Sequence, residues 1–137
     1  MYLLDTNVVS EIRRPRPHGG VRAWLNATPG AMLHVSAVTL GELQAGAEKV
    51  REQDASKATE IEAWIEAIAA TFNVLAMDGP AFRIWARILV KHPRDLIEDA
   101  MIAATAEEHG LVVVTRNVKD FEKLGARTFN PFEYQRR

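Results

Sequence analysis

The chain has 137 residues, no cysteine, and 17 basic against 18 acidic side chains, for a net charge of −1. That length makes a single domain over residues 1–137 the expectation, and 47% apolar content is enough to build a core. The missing cysteine excludes a disulfide framework, a thiolate zinc site and a thiol nucleophile. The even charge excludes a dominant basic field and leaves any nucleic-acid contact to local patches.

Met1 to Leu4 reads as a short buried strand. It has no basic region followed by a long apolar run, so no signal peptide is expected, and no segment approaches a membrane span. The expectation is a soluble cytoplasmic protein without membrane association. Asp5, Thr6 or Asn7 can cap a helix over Val8 to Arg13, which Pro15 and Pro17 stop. Gly19-Gly20 allows a turn before a short helix over Val21 to Ala27, with Trp24 and Leu25 inward. Pro29-Gly30 is a turn, and Leu33 to Val35 a second strand.

Ser36 to Val50 reads as a helix that carries Val38, Glu42, Ala45 and Gly46 on one face. After the polar stretch Arg51 to Lys57, Ile61, Trp64, Ile65, Ile68 and Ala69 follow helical spacing. Val74 to Ala76 is a third strand. Asp78 can cap a helix through Phe82, Trp85, Ile88 and Leu89, ended by His92-Pro93. Leu96 to His109 is a further helix closed by Gly110. Leu111 to Val114 is a β-branched run suited to a strand covered on both faces. A helical turn over Val118 to Lys123 and a last strand over Arg127 to Phe129 follow. This alternation predicts an α/β fold, a three-layer α/β/α sandwich on a mainly parallel sheet. Asp5 closes the first strand and Thr115-Arg116-Asn117 follows the Val112–Val114 run, so both should reach the carboxyl edge, where sites in such sheets lie.

Three acids stand beside apolar residues: Asp5 in Leu3-Leu4-Asp5-Thr6-Asn7, Glu42 in Thr39-Leu40-Gly41-Glu42-Leu43, and Asp99 ahead of Ala100-Met101-Ile102-Ala103. A charge in apolar surroundings is costly unless compensated, and three carboxylates from distant parts of one chain suggest an oxygen-rich Mg²⁺ or Mn²⁺ site. Each acid also has a structural reading. Asp5 can cap the next helix. Glu42 can close a T-x-x-E capping box with Thr39. Asp99 can be an acid favoured by the helix dipole. Asp95 and Glu98 form a D-x-x-E box of their own. Glu48, Glu52, Glu60, Glu62, Glu66, Glu107 and Glu108 read as solvated charges. The four histidines lack metal-ligand spacing, Ser10 and Ser36 lack a nucleophile motif, and Trp24, Trp64 and Trp85 read as core or interface. Basic runs at Arg13, Arg14, Arg16 and His18, and at Arg136-Arg137, are either solvated charge or nucleic-acid contacts.

Leu3 to Glu11, Val38 to Leu43, Asp99 to Ala106 and Val114 to Phe121 together resemble, in order and nearly end to end, the PIN-domain ribonucleases. Among these they are most similar to the VapC and FitB toxins of bacterial type II toxin–antitoxin pairs. The resemblance implies a Mg²⁺- or Mn²⁺-dependent endoribonuclease in which Asp5, Glu42 and Asp99 are the catalytic, metal-binding triad. A fourth position falls at Asn117 or Asp120, with Thr6, Asn7 and Thr115 in support. Arg13, Arg14, Arg16 or Arg116 can hold flanking phosphates. It also implies RNA as substrate, a small antitoxin of the VapB/FitA kind as inhibitor, operator DNA bound through that antitoxin, and a homodimer. Two other readings are open: a PIN-type nuclease of RNA processing, and a catalytically silent metal- or partner-binding module.

Overall fold

The computed structural model describes residues 1–92 and 96–135. Five parallel strands make one sheet: β1 (Tyr2–Leu4), β2 (Leu33–Ser36), β3 (Asn73–Leu75), β4 (Val112–Val114) and β5 (Thr128–Phe129), in the order β3-β2-β1-β4-β5. The first residues of the chain thus form the central strand, with Leu3 beside His34 and Val113. The helices are α1 (Thr6–Arg13), α2 (Gly19–Ala27), α3 (Ala37–Arg51), α4 (Ala55–Thr71), α5 (Gly79–Lys91), α6 (Ile97–His109) and α7 (Val118–Lys123), and 3₁₀ turns span Gly30–Met32 and Pro131–Glu133.

Strand alternation divides the core between two faces. Leu4, Val35 and Val114 point into one layer with Val8, Val21, Trp24, Ile61, Ile65 and Ile68. Leu3 and Val113 point into the other with Ile102, Ala103, Leu111 and Phe121. Side chains cover both faces, which is why β4 is a run of valines. The predicted three-layer α/β/α sandwich is the observed architecture.

Several boundaries differ from expectation, each for a local reason. Helix α1 begins at Thr6, because the Asp5 carboxylate accepts its N–H. Helix α2 begins at Gly19, where His18 Nδ1 accepts the Gly20 N–H, so the glycine pair lies inside the helix instead of in a turn. A Cβ on Gly20 would stand 2.8 and 2.9 Å from the carbonyl oxygens of Pro131 and Tyr134, so glycine there allows α2 to meet the C-terminal turn. Leu25 is only half-buried, and Ala45, Gly46 and Ala69 are exposed. Glu48 and Glu62 are not free charges: Arg51 pairs with both, tying the end of α3 to α4. Gly110 caps α6 at a φ of 66°, in the left-handed region that suits glycine. Pro93, the Asp95 member of the D-x-x-E box and the Arg136-Arg137 pair lie outside the described residues.

Candidate active site

The chain order reverses direction at β1: β2 and β3 extend the sheet on one side, β4 and β5 on the other. The loops leaving the carboxyl ends of β1 and β4 meet at this switch point, the place where sites in such sheets lie. Asp5 follows β1, Thr115 follows β4, Glu42 comes from the second turn of α3, and Asp99 from the first turn of α6.

Asp5 is buried and both its oxygens are engaged. Oδ1 accepts the Thr6 N–H at 2.8 Å, and Oδ2 accepts the Thr115 hydroxyl at 2.8 Å. Thr115 is fully buried and acts as a hub, because its oxygen also accepts the Asn117 N–H at 2.9 Å and the Asn7 side-chain amide at 3.4 Å. Asn7 Oδ1 in turn accepts the Arg116 N–H at 3.4 Å. The loop after β4 is thereby tied to the loop after β1.

Glu42 is held by a hydroxyl relay. The Thr6 hydroxyl donates to Glu42 Oε1 at 2.9 Å and lies 3.0 Å from the Thr39 hydroxyl. Thr6 has one hydroxyl proton and gives it to Glu42, so Thr39 donates to Thr6. This overturns the capping-box reading of Thr39 and Glu42. Ser36 is the N-cap of α3, accepting the Val38 N–H, and Thr39 and Glu42 both lie inside the helix.

Burial dominates the electrostatics of the three acids, and like charge adds to it at Asp99 and Glu42. Burial pushes the Asp99 carboxyl up to about 6, helped by the charges of Asp5, Glu42, Asp120 and Glu98. Burial also raises Asp5, against the stabilising bonds from Thr115 and Thr6. Glu42 is raised by burial and, more weakly, by Asp5 and Glu98, while Thr6 opposes the shift. Among the described residues no Lys or Arg ion-pairs with these three acids.

These donors are hard oxygens with unbalanced negative charge, the set that suits Mg²⁺ or Mn²⁺. They are close enough to shift one another. As the side chains stand, however, no three His, Asp or Glu groups among the described residues form a set that could hold an ion. The threonine hydrogen bonds account for part of this, because they occupy both Asp5 oxygens and one of Glu42's.

For the fourth position, Asn117 and Asp120 part company. Asn117 is exposed, precedes α7 and makes no side-chain cap, and its bond to the site runs through its backbone N–H. Asp120 is half-buried in the first turn of α7, and its charge reaches Asp99. Glu98 also adds to the field, a role the D-x-x-E reading missed. The arginines scatter. Arg13 ends α1, about 12 Å along the helix from Asp5 at 1.5 Å per residue. Arg14 pairs with the buried Glu11 at 3.3 Å, and Arg16 is exposed. Arg116 lies one residue beyond Thr115 and shares a depression with Asp120, its guanidinium 4.3 Å from the centre of the Phe132 ring.

The PIN domain family model matches residues 2–126. The chain belongs to the PIN-domain family. Within that family it is 34% identical over 138 residues to the Toxin FitB of Neisseria gonorrhoeae, covering 96% of this chain and 99% of the toxin. It is 34% identical over 128 residues to the tRNA(fMet)-specific endonuclease VapC of Shigella flexneri, covering 90% and 92% of the two chains. A solved structure of FitAB bound to an IR36 DNA fragment superposes with a TM-score of 0.85 at 31% identity, covering 99% of each chain. The chain is thus a PIN-domain protein of the VapC/FitB toxin type, as the four sequence segments indicate.

Proposed function

We propose that this PIN domain, residues 1–137, is a divalent-metal-dependent endoribonuclease and the toxin of a type II toxin–antitoxin pair. One observation carries the reading. Asp5, Glu42, Asp99 and Asp120 gather beside the carboxyl end of the central strand without an ion-paired Lys or Arg among the described residues, and burial, with the neighbouring charges adding to it, lifts Asp99 to about 6. Bare carboxylates repel a phosphodiester. A Mg²⁺ or Mn²⁺ ion held by Asp5, Glu42 and Asp99 would reverse that field, polarise the phosphoryl group and lower the pKa of an attacking water.

The chain's own residues do the positioning. Thr115 and the Thr6 N–H fix both oxygens of Asp5, and the Thr39–Thr6 relay fixes one oxygen of Glu42. Asp99 keeps its carboxylate free of such bonds among the described residues and is the acid most sensitive to an added cation. Asp120 supplies the fourth charge. Similarity to Toxin FitB, to a VapC endonuclease and to toxin chains solved with their antitoxins supports the substrate class and the partner: RNA, and a small inhibitor protein through which operator DNA is bound. The working form would be a cytoplasmic homodimer. No helix among the described residues is long and apolar enough to cross a membrane.

The test is brief induction of the chain in a bacterial host, followed by sequencing of RNA 5′ ends, beside purified protein assayed with Mg²⁺, Mn²⁺ or EDTA. New 5′ ends that vanish in Asp99→Asn, and growth arrest relieved by the neighbouring gene product, are expected. No new 5′ ends on induction and no metal-dependent cleavage in vitro would sink the reading.

A further inference from the structure

Phe132 stands where three parts of the chain meet outside the acidic cluster. The Arg116 guanidinium lies over its ring at 4.3 Å, and the His18 ring is tilted against it at 5.1 Å. The 3₁₀ turn that carries Phe132 is fixed by Asn130, whose side chain accepts the Phe132 N–H at 3.0 Å. Arg116 is one residue beyond Thr115, the partner of Asp5, and its own N–H is held by Asn7. Its side chain and Asp120 line the same depression of about 540 Å³, and Asp120 adds its charge to Asp99. The guanidinium is thus held over Phe132, beside a depression that Asp120 also lines. It is exposed, and among the described residues no carboxylate pairs with it.

An arginine stacked on an aromatic face keeps its N–H edge free, while its plane is held in place. A fork of donors aimed outward suits a phosphate oxygen pair. Asp120, Glu122 and Glu133 also line the depression, with Lys119 the other cation on it, so its floor is acidic on balance and the stacked Arg116 edge is the better seat for a phosphate. We propose that Arg116 is the substrate-positioning residue of this nuclease. It grips an RNA phosphate next to the one cleaved, and Phe132 positions Arg116 by stacking beneath it. This rests on the ribonuclease reading. The other basic residues lack one or both features: Arg14 is committed to Glu11, and Arg13 stands at the far end of α1.

The experiment starts from the RNA cut mapped on induction, using a 20-nucleotide single-stranded oligomer that spans it. Binding is measured by fluorescence anisotropy in the Asp99→Asn background, and cleavage by single-turnover kinetics in the otherwise native chain. Arg116→Gln should weaken binding about tenfold and flatten the plot of log affinity against log salt by about 0.7, the share of one phosphate contact on a single strand. Phe132→Leu keeps an apolar side chain in the packing but removes the ring, and should weaken binding by less than Arg116→Gln does, because the guanidinium must then be ordered on binding. Phe132→Tyr should restore it. The loss should appear mainly in KM, with the rate at saturating RNA less affected. Arg116→Gln with unchanged affinity and salt slope overturns the proposal, whether or not the variant binds a protein inhibitor less well. So does a Phe132→Leu defect that Phe132→Tyr fails to rescue. If the native chain cuts no RNA at all, the ribonuclease reading fails first and takes this one with it.

Discussion

Asp99 gives the sharpest predictions at the scale of single residues. Its carboxyl is raised from 3.8 to about 6 in the folded, metal-free protein. A raised acid binds its proton more tightly in the native state, so its contribution to stability is fully present below about pH 4 and is lost as pH rises through 6. Asp99→Asn should therefore raise the melting temperature in EDTA at pH 7.5 and have little effect at pH 4, a difference that melts at the two pH values resolve. A mutant that gains equally at both would show that the cost of ionising Asp99 is not the cause. Asp5→Asn keeps the helix cap but removes the acceptor of the Thr115 hydroxyl, so it should fold with some loss of stability while losing roughly a hundredfold or more of cleavage. At the fourth position, Asp120→Asn should weaken Mn²⁺ binding in calorimetry. Asn117→Asp should change it little, because that side chain makes no bond to the cluster. Asp5, Glu42 and Asp99 stood out in the sequence as acids in apolar surroundings, whereas Asp120 came only from the resemblance and Glu98 was read as part of a capping box. The supports of these acids were less legible. Thr39 carries the signature of a capping box, and only its place inside α3 turns it toward Thr6. Phe132 carried no sequence signal, because nothing in Asn130-Pro131-Phe132 says which arginine will lie over it.

At the scale of elements, helices with strong local signals were readable and junctions were not. The Ile61, Ile65 and Ile68 stripe and the Gly110 cap sit where spacing places them. The start of α2 does not, because a glycine pair has the same appearance in a turn as in a helix that must approach another backbone. The two positions make a paired test. Ala at Gly20 would meet two backbone carbonyls and should cost about 1–3 kcal/mol, as overpacking typically does. Ala at Gly19 meets nothing within 4 Å and should be neutral or stabilising by about 0.5–1 kcal/mol. Chemical denaturation of both variants checks the contrast. Gly20→Ala should also loosen the turn bearing Phe132, since its obstruction is Pro131 and Tyr134, on either side of that ring.

For the whole molecule, alternating strands and helices were enough to give a parallel sheet between helical layers, but not the strand order. Three-residue strands carry no pairing code, and the order follows from which faces the helices cover. That order sets the site, because β1 is the switch point at which the loops after β1 and β4 meet. It also concentrates carboxylates, so protons must compete with the cation. Mg²⁺ affinity should fall as pH drops below about 6, the value to which Asp99 is raised, and calorimetric titration at pH 5.5 and 7.5 would expose a pH-independent site if there is one. The central strand has one more effect. The hydroxyl that fixes Asp5 belongs to Thr115, 110 residues later, and β1 lacks its β4 neighbour until Val112 to Val114 have been made. Pairing across such a separation cannot form early. A partly translated chain thus carries Asp5 without the hydroxyl and the acids that gather around it, and the cluster comes into being only once the β4 segment has joined β1.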